Sequence, residues 1–341
     1  MDLKRSQSLK APKDRGEELR RLLLQYDVLN TSLKIKTSDT SIYLPIKRSL
    51  SEYESSHINQ MSDSFEIISG EFDAENEIKT LKDALGFKPS YEIIGDIAVL
   101  SFDLESSHDP SAIGKEIIKT QKSIKVVLKP KTQVQGTFRV KNFEVIAGQK
   151  RTETIHKEYG CVYALDLQKV YFSPRLSKER MRVANQVKEG EVVVDMFSGV
   201  GPFTIQVAKR AKNVIAIDIN PDAIAYLNKN IKLNHIKNVK VIEGDVRELI
   251  CNLDGVADRI IMNLPLSANE FLGDAKKILK KSGMIHYYDI RSEDDLFDGA
   301  IEMIDKSIGD AKVCIHNRRK IRSYAPYKYN IALDVLVVKN N

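Results

Sequence analysis

Residues 195–203 read D-M-F-S-G-V-G-P-F, and their types and order suit a cofactor loop. The apolar run Val192-Val193-Val194 precedes them, and a helix-forming run to Ala211 follows. Strand, glycine-bearing turn, helix is the layout of a nucleotide-type loop in a doubly wound α/β domain. Asp195 and Phe197 open the turn, and Gly199 and Gly201 let backbone approach a ligand with no Cβ in the way. Pro202 suits a first helical position, where its missing N–H costs nothing. The spacing G-x-G-P-F lacks the third glycine of the dinucleotide fingerprint, which favours S-adenosylmethionine over NAD.

Ligands of such domains sit at the carboxyl ends of the strands. The expected second strand ends in Asp218, then Ile219-Asn220-Pro221. Asp218 is placed for ribose hydroxyls; the alternative is that Asp218 or Asn220 simply caps the next helix, with Pro221 at its first position, and Asn220 suits that cap. The third strand ends at Glu243-Gly244-Asp245-Val246. There Asp245 could bond the adenine amine and the Val246 N–H a ring nitrogen; the alternative is a turn that merely begins with Asp. The fourth ends in Asn263-Leu264-Pro265. Pro265 frees the Leu264 carbonyl from sheet pairing, so that Asn263 and neighbouring carbonyls make a polar edge for a planar nitrogen base.

Upstream lies Tyr171-Phe172-Ser173-Pro174-Arg175-Leu176-Ser177-Lys178-Glu179-Arg180. Ser173 caps and Pro174 starts a helix or a turn into one. Glu179 is then either a functional acid or a surface acid favoured by the helix dipole. His156 and His286 read as packed or phosphate-facing side chains, and no Ser-His-Asp order, HExxH or Walker loop occurs.

These residues need elements to hold them. Strands at 191–195, 214–218, 239–242, 258–262 and 283–288 alternate with helices near 203–211, 222–233, 269–281 and 294–307, and strands near 312–317 and 330–337 close the unit. Strict alternation predicts a parallel sheet with helices on both faces. Ahead of it, 91–94 and 97–102 read as a hairpin turning at Gly95-Asp96, 113–121 as helix, and 124–128 and 137–140 as strands. Residues 14–29 read as helix, 33–35 and 42–46 as short strands, 50–62 as a polar linker, and the first ten residues as a tail. The expected domains are 1–62, 63–165 and 166–341.

With 341 residues the chain is long for one core. Its net charge is +6, yet 115–157 alone holds eleven basic residues against three acidic ones. A second cluster, Arg318-Arg319-Lys320 with Arg322, lies near the far end. Together they point to a nucleic-acid surface rather than a merely solvated face. Cys161, Cys251 and Cys314 fit neither a disulfide framework nor zinc spacing. A reducing cytoplasm is the expected compartment, without a signal peptide, membrane span or metal.

Taken together, the motifs resemble the archaeal and eukaryotic-type tRNA (guanine-37 N1)-methyltransferases. The resemblance rests on G-E-E-L-R-R-L-L, I-Y-L-P-I, G-T-F-R-V, R-T-x-T-I-H-K-E-x-G, V-Y-F-S-P-R-L-x-x-E-R, D-M-F-S-G-V-G-P-F, A-I-D-I-N-P, D-V-R-E, M-N-L-P, H-Y-Y and S-Y-A-P. It implies a Rossmann-like class I methyltransferase domain behind two smaller α+β RNA-binding domains, with S-adenosylmethionine as methyl donor. Glu179 matches the family's general base at guanine N1, and Arg139 the residue that stabilises charge on O6. Asn263 and the Pro265 loop would hold the guanine edge, with Tyr171 shaping the pocket. Arg180, Asp218, Ile219, Asp245, Val246 and Asn263 match cofactor contacts. The target base must be flipped out, the basic middle segment would grip the anticodon stem-loop, and the first domain would reach the outer corner of the tRNA. A monomer is expected. Ser198 stands where Ala is usual, and Leu266 where a polar residue is expected. The rival of like fold is the wyosine-pathway aminocarboxypropyl transferase, whose loop carries an aromatic at the place of Pro202. Methylation of a wyosine intermediate is a second activity of some relatives. A tRNA-binding protein without catalysis, a dehydrogenase and an amino-methyltransferase fit the residues less well.

Overall fold

The computed structural model describes residues 3–61, 65–74, 80–101, 109–132, 136 and 138–340. They fall into two compact units divided after Thr80.

In the first unit β1 (Leu3–Pro12) is followed by α1 (Gly16–Gln25), β2 (Lys36–Thr37), β3 (Ser41–Ile46), α2 (Glu52–Met61) and β4 (Glu66–Asp73). The antiparallel sheet runs β2-β3-β1-β4. The expected tail is thus an inner strand, whose Leu9 and Ala11 pack with Leu19, Leu22 and Leu23 of α1. Residues 33–35 hold only an isolated bridge at Leu33, and the strand starts at Lys36. The expected linker at 50–62 is largely helix. Its Ile58 enters the core, and its Glu54 is gripped by the Arg48 guanidinium at 2.8 and 2.9 Å. The polar composition there is the wet face of a helix with one buried stripe. Because β4 pairs with β1, the unit extends past the expected boundary at 62.

The second unit opens with α3 (Leu81–Leu85), β5 (Tyr91–Ile94), β6 (Ile97–Leu100), α4 (Pro110–Thr120), β7 (Val126–Pro130) and β8 (Phe143–Gly148). The β5–β6 hairpin turns at Gly95-Asp96 as read, and β7 and β8 complete a four-stranded sheet. The expected strand end at Phe102 lies outside the described residues, as does Thr137. Phe138 and Arg139 form a turn rather than a strand, with Arg139 left-handed at φ 55°. The hairpin β9 (Glu153–Glu158) and β10 (Cys161–Asp166) follows. Sequence patterning missed it because β9 (E-T-I-H-K-E) is largely polar and charged and hides the partner of the apolar β10.

The remaining elements are α5 (Ser177–Gln186), β11 (Val192–Asp195), α6 (Pro202–Ala208), β12 (Asn213–Asp218), α7 (Pro221–Leu233), β13 (Val239–Glu243), α8 (Val246–Leu249), β14 (Ala257–Met262), α9 (Leu272–Ile278), β15 (Leu279–Ser292), α10 (Asp298–Ile308), β16 (Lys312–Ala325) and β17 (Lys328–Val338). Their sheet runs β13-β12-β11-β14-β15-β17-β16. The pairings from β13 through β15 are parallel as expected, but β17 is antiparallel to both β15 and β16. A short turn joins β16 to β17, and a turn that tight permits only a hairpin. Helices α9 and α10 cover one face, and α5 and α6 the other. An asparagine of α7 and the one that caps its end close the free edge of β10. Asn230 bonds both the N–H and carbonyl of Ala164, and Asn234 those of Val162. Strand order reverses about β11, which opens a crevice at the carboxyl ends of β11, β12 and β14.

Candidate active site

The crevice is a cavity that brings together most of the residues singled out from sequence. Tyr171, Arg139, Arg180, Phe197, Gly199, Asp218, Ile219, Asp245, Val246, Asn263 and Pro265 all line it. Glu179, Asp195 and Gly201 do not.

The glycine loop explains two of those exceptions. Gly199 (φ 53°) has open space where a Cβ would stand, so its backbone forms the cavity wall. Gly201 (φ 87°) instead backs onto Leu227 of α7, where a Cβ would clash. The first glycine serves a ligand, and the second serves packing between loop and helix. Asp195 lies beneath the loop, 1 % exposed, accepting from the Thr204 hydroxyl at 2.7 Å. Burial pushes its carboxyl up to about 7; nearby Asp218 adds to the rise and Thr204 opposes it. Its other oxygen has no partner.

Asp218 takes the Gly199 N–H at 2.7 Å and the Asn220 N–H at 2.9 Å, while Asn220 caps α7. Asp218 is therefore not the cap, and burial raises its carboxyl above the usual range. Asp245 stands at the start of the next helical turn. It caps α8 and pairs with Arg247 at 2.5 Å, although it also lines the cavity. The Arg247 pairing comes first among the causes holding its carboxyl low.

The Asn263 edge differs from expectation. The Leu264 carbonyl accepts from the N–H groups of Ser267 and Ala268, and the Pro265 carbonyl from that of Ile290. Proline does free the Leu264 carbonyl from the sheet, but the next turn captures it. Asn263 itself remains on the cavity wall.

Ser173 precedes a short 3-10 turn, Pro174–Leu176, without a side-chain capping bond, and α5 starts at Ser177. Arg180 is 2 % exposed. Its guanidinium forks onto Glu158 at 2.7 and 2.5 Å and bonds the Ser173 carbonyl at 3.1 Å. Burial pushes the Glu158 carboxyl up, but Arg180 and His156 outweigh it and hold it low. Arg180 thus builds the wall by locking the 173 turn to β9. His156 accepts the Gly95 N–H and packs on Phe172, the packed role foreseen.

Glu179 is 4 % exposed, which rules out a solvated surface acid. Arg182 grips it at 2.9 and 2.6 Å, and the Tyr288 hydroxyl donates to it at 2.8 Å. Arg182 also forks onto Asp334, which accepts from His286 Nδ1 at 2.7 Å. Arg259, an obligate donor, faces His286 Nε2 at 2.8 Å, so the imidazole is neutral with its proton on Nδ1. Burial lowers its pKa accordingly.

Ladder register places this carboxylate relative to the cavity. Tyr288 pairs with Ala332, which pairs in turn with Arg319, and the next row on the same face, two residues along β15 and β17, is Ile290, Asn330 and Arg322. Paired residues share a face. Glu179 therefore sits over the row adjacent to one that lines the cavity. Sequence reading missed Tyr288, Arg182, Asp334 and Asn330. Tyr288, Asn330 and Asp334 carry their signal in alternate positions of β15 and β17, visible only once the register is known, and Arg182 of α5 shows its role only when it is seen to bridge Glu179 and Asp334.

Arg139 lines the cavity near Tyr171 and Tyr324, and burial lowers its pKa. Among the described residues no group of His, Cys, Asp or Glu could hold a metal, and no helix is long and apolar enough to cross a membrane.

Comparison with known proteins agrees with this arrangement. Residues 154–316 match the TRM5/TYW2 methyltransferase domain, 8–54 the tRNA methyltransferase 5 N-terminal domain, and 77–152 the TYW2 N-terminal domain. The tRNA (guanine(37)-N(1))-methyltransferase Trm5b of Pyrococcus abyssi is 41% identical over 97% of this chain and 98% of its own. A tRNA(Phe) (4-demethylwyosine(37)-C(7)) aminocarboxypropyltransferase of Methanocaldococcus jannaschii is 39% identical over 72% of this chain and 96% of its own. Among solved structures, the complex of aTrm5 with tRNALeu superposes with a TM-score of 0.78 at 36% identity, covering 97% of this chain and 99% of that one. The Trm5b match spans nearly the whole chain, whereas the aminocarboxypropyltransferase match spans about three quarters of it. The chain belongs to the TRM5/TYW2 methyltransferase family and, within it, to the tRNA (guanine(37)-N(1))-methyltransferases.

Proposed function

We propose that the chain methylates N1 of guanine-37 in tRNA, beside the anticodon, using S-adenosylmethionine. The observation that carries this reading is one cavity with a cofactor wall (Gly199, Asp218, Val246) and a base-holding wall (Asn263, Arg139, Tyr171), with the Glu179 carboxylate one strand row away.

The cofactor wall fits S-adenosylmethionine. The space over Gly199 would be filled by any side chain there, and the Asp218 carboxylate faces a cavity where ribose hydroxyls could donate to it. Asp245 and Val246 flank the adenine end, and Phe197 and Ile219 supply apolar surface. When bound, the cofactor offers an electrophilic methyl group on a sulfonium centre.

Guanine N1 carries a proton at neutral pH, so its lone pair must be released by a base. Glu179 takes that proton, its carboxylate turning from the Arg182 fork toward the cavity row. As the N1–H bond breaks, charge moves onto O6. Arg139, partly stripped of water, donates to that oxygen where the charge develops. Asn263 holds the base edge and Tyr171 covers it, so the N1 lone pair points at the methyl carbon. Arg180 keeps the 173 turn in place. The basic middle segment carries the anticodon stem-loop and the first unit reaches the outer corner of the tRNA. The enzyme acts as a monomer in the cytoplasm.

The test is methyl transfer from labelled S-adenosylmethionine to unmodified transcripts bearing G37 or A37, with Glu179→Gln alongside and the product mapped by mass spectrometry. The expected product is 1-methylguanosine with G37 alone, lost in the variant. An aminocarboxypropyl mass gain on a wyosine precursor, or no transfer to G37, overturns the reading.

A further inference from the structure

The row that closes the cavity carries groups that no step above uses. Ile290, Asn330 and Arg322 stand opposite one another across β15, β17 and β16, and all three line the cavity. Asn330 is 2 % exposed, and its side-chain oxygen has no hydrogen-bond partner. The Arg322 Nε is likewise buried and unpaired. Native interiors seldom leave such groups unmet unless a ligand meets them.

The charges around this row are one-sided. Burial lowers the pKa of Lys141; Arg175 and Arg322 push it the same way, and Glu92 pushes back. Glu92 is already ion-paired with the Arg175 Nε at 2.9 Å. Arg139, also desolvated, lines the same cavity. Cations gathered at this cost, with the neighbouring Glu92 already engaged by Arg175, fit an anion with oxygens to spare. Arginine's fork matches a phosphodiester. The Asn330 oxygen needs a donor instead, and the donor that a nucleotide carries close to its phosphate is the ribose 2′-hydroxyl.

We propose that Arg322, with Lys141, holds the phosphodiester beside the flipped nucleotide, and that Asn330 Oδ1 accepts from that nucleotide's 2′-hydroxyl. This deepens the function proposed above and rests on it. The subsite makes the enzyme selective for ribose at the target position and anchors the nucleotide by its backbone, leaving the base edge to Asn263 and Glu179.

Single-turnover methyl transfer by the full chain tests this on four transcripts: guanosine-37, 2′-deoxyguanosine-37, inosine-37, and guanosine-37 with a neutral methylphosphonate at its 3′ linkage. Removing the 2′-hydroxyl should slow the wild type about tenfold, as for one lost hydrogen bond. Asn330→Ala should be slowed as much on the ribose substrate and be indifferent to the deoxy change, with its response to inosine unaltered. Arg322→Ala should raise the half-saturating tRNA concentration at least about fivefold, as for one lost phosphate contact, and the methylphosphonate should have no further effect on it. Equilibrium titration with S-adenosylmethionine should match the wild type for both variants, which reports an intact fold. A wild type indifferent to the deoxy change overturns the inference without needing any variant to fold. So does an Asn330→Ala response confined to inosine, or additive Arg322→Ala and methylphosphonate effects. If the wild type methylates no guanine-37 at all, the functional reading itself falls.

Discussion

At the residue scale, Glu179 is held by neighbours that hydrogen-bond its charged form. Tyr288 is the cleanest probe, because its hydroxyl donates to Glu179 and the ring packs independently against Phe203. Tyr288→Phe should lower the single-turnover rate about 10- to 100-fold, the range of a hydrogen bond to a charged group, with S-adenosylmethionine affinity unchanged. An unchanged rate would show that Tyr288 does not position the base. Asp195 makes a different prediction. Its folded pKa of about 7 lies above the ordinary carboxylate value, chiefly through burial. Between roughly pH 4 and 7 the unfolded chain therefore gives up this proton while the folded chain keeps it, so Asp195 costs stability progressively across that window. Asp195→Asn should gain stability relative to the wild type as pH rises through that range, and level off above it. Urea unfolding at several pH values checks this; a constant difference would place the carboxyl in an ordinary environment.

At the element scale, the two glycines of one turn separate ligand approach from packing. Gly201→Ala puts a Cβ against Leu227 at a left-handed backbone angle, combining overpacking with strain. A loss of about 2–4 kcal/mol is expected in chemical unfolding. Gly199→Ala carries the backbone strain alone, about 1–2 kcal/mol, but its methyl enters the cofactor space. Its main effect should be weaker S-adenosylmethionine binding in titration. Equal stability losses, or intact cofactor affinity in Gly199→Ala, would contradict this division. The G-x-G-P-F spacing announces a cofactor turn, yet the same residue type at both places hides which glycine faces the ligand.

At the scale of the whole molecule, net charge matters less than where the charge lies. The excess of positive charge in 115–157 is larger than that of the whole chain, and many of its lysines, Lys131 and Lys150 among them, are exposed. Transfer-RNA affinity should fall steeply with salt, as counterion release requires, and each phosphate-contacting lysine replaced by alanine should reduce the slope of log K against log salt by about 0.7–0.9. Filter binding from about 50 to 200 mM salt, for the wild type and for Lys131→Ala and Lys150→Ala, measures it. A salt-independent affinity would remove the basic segment from the interface.

The alternating elements, the cofactor turn and the strand ends that carry Asp218, Asp245 and Asn263 are legible in the amino-acid order alone. Those signals are local: an apolar run, a glycine pair or a proline acts on the chain within a few residues. Sequence reading misjudged elements whose reason lies elsewhere in the molecule. Leu3–Pro12 is a strand because β3 and β4 pair with it, and Phe138 and Arg139 form a turn instead of a strand because Arg139 is left-handed. Three arrangements emerge with the folded sheet: Arg180 spends its donors on Glu158 and the Ser173 carbonyl, Tyr288 and Arg182 hold Glu179, and Asn330 and Arg322 meet in one row. Each joins residues far apart in the chain, and burial and strand register, which set their energies, exist only once the sheet has formed.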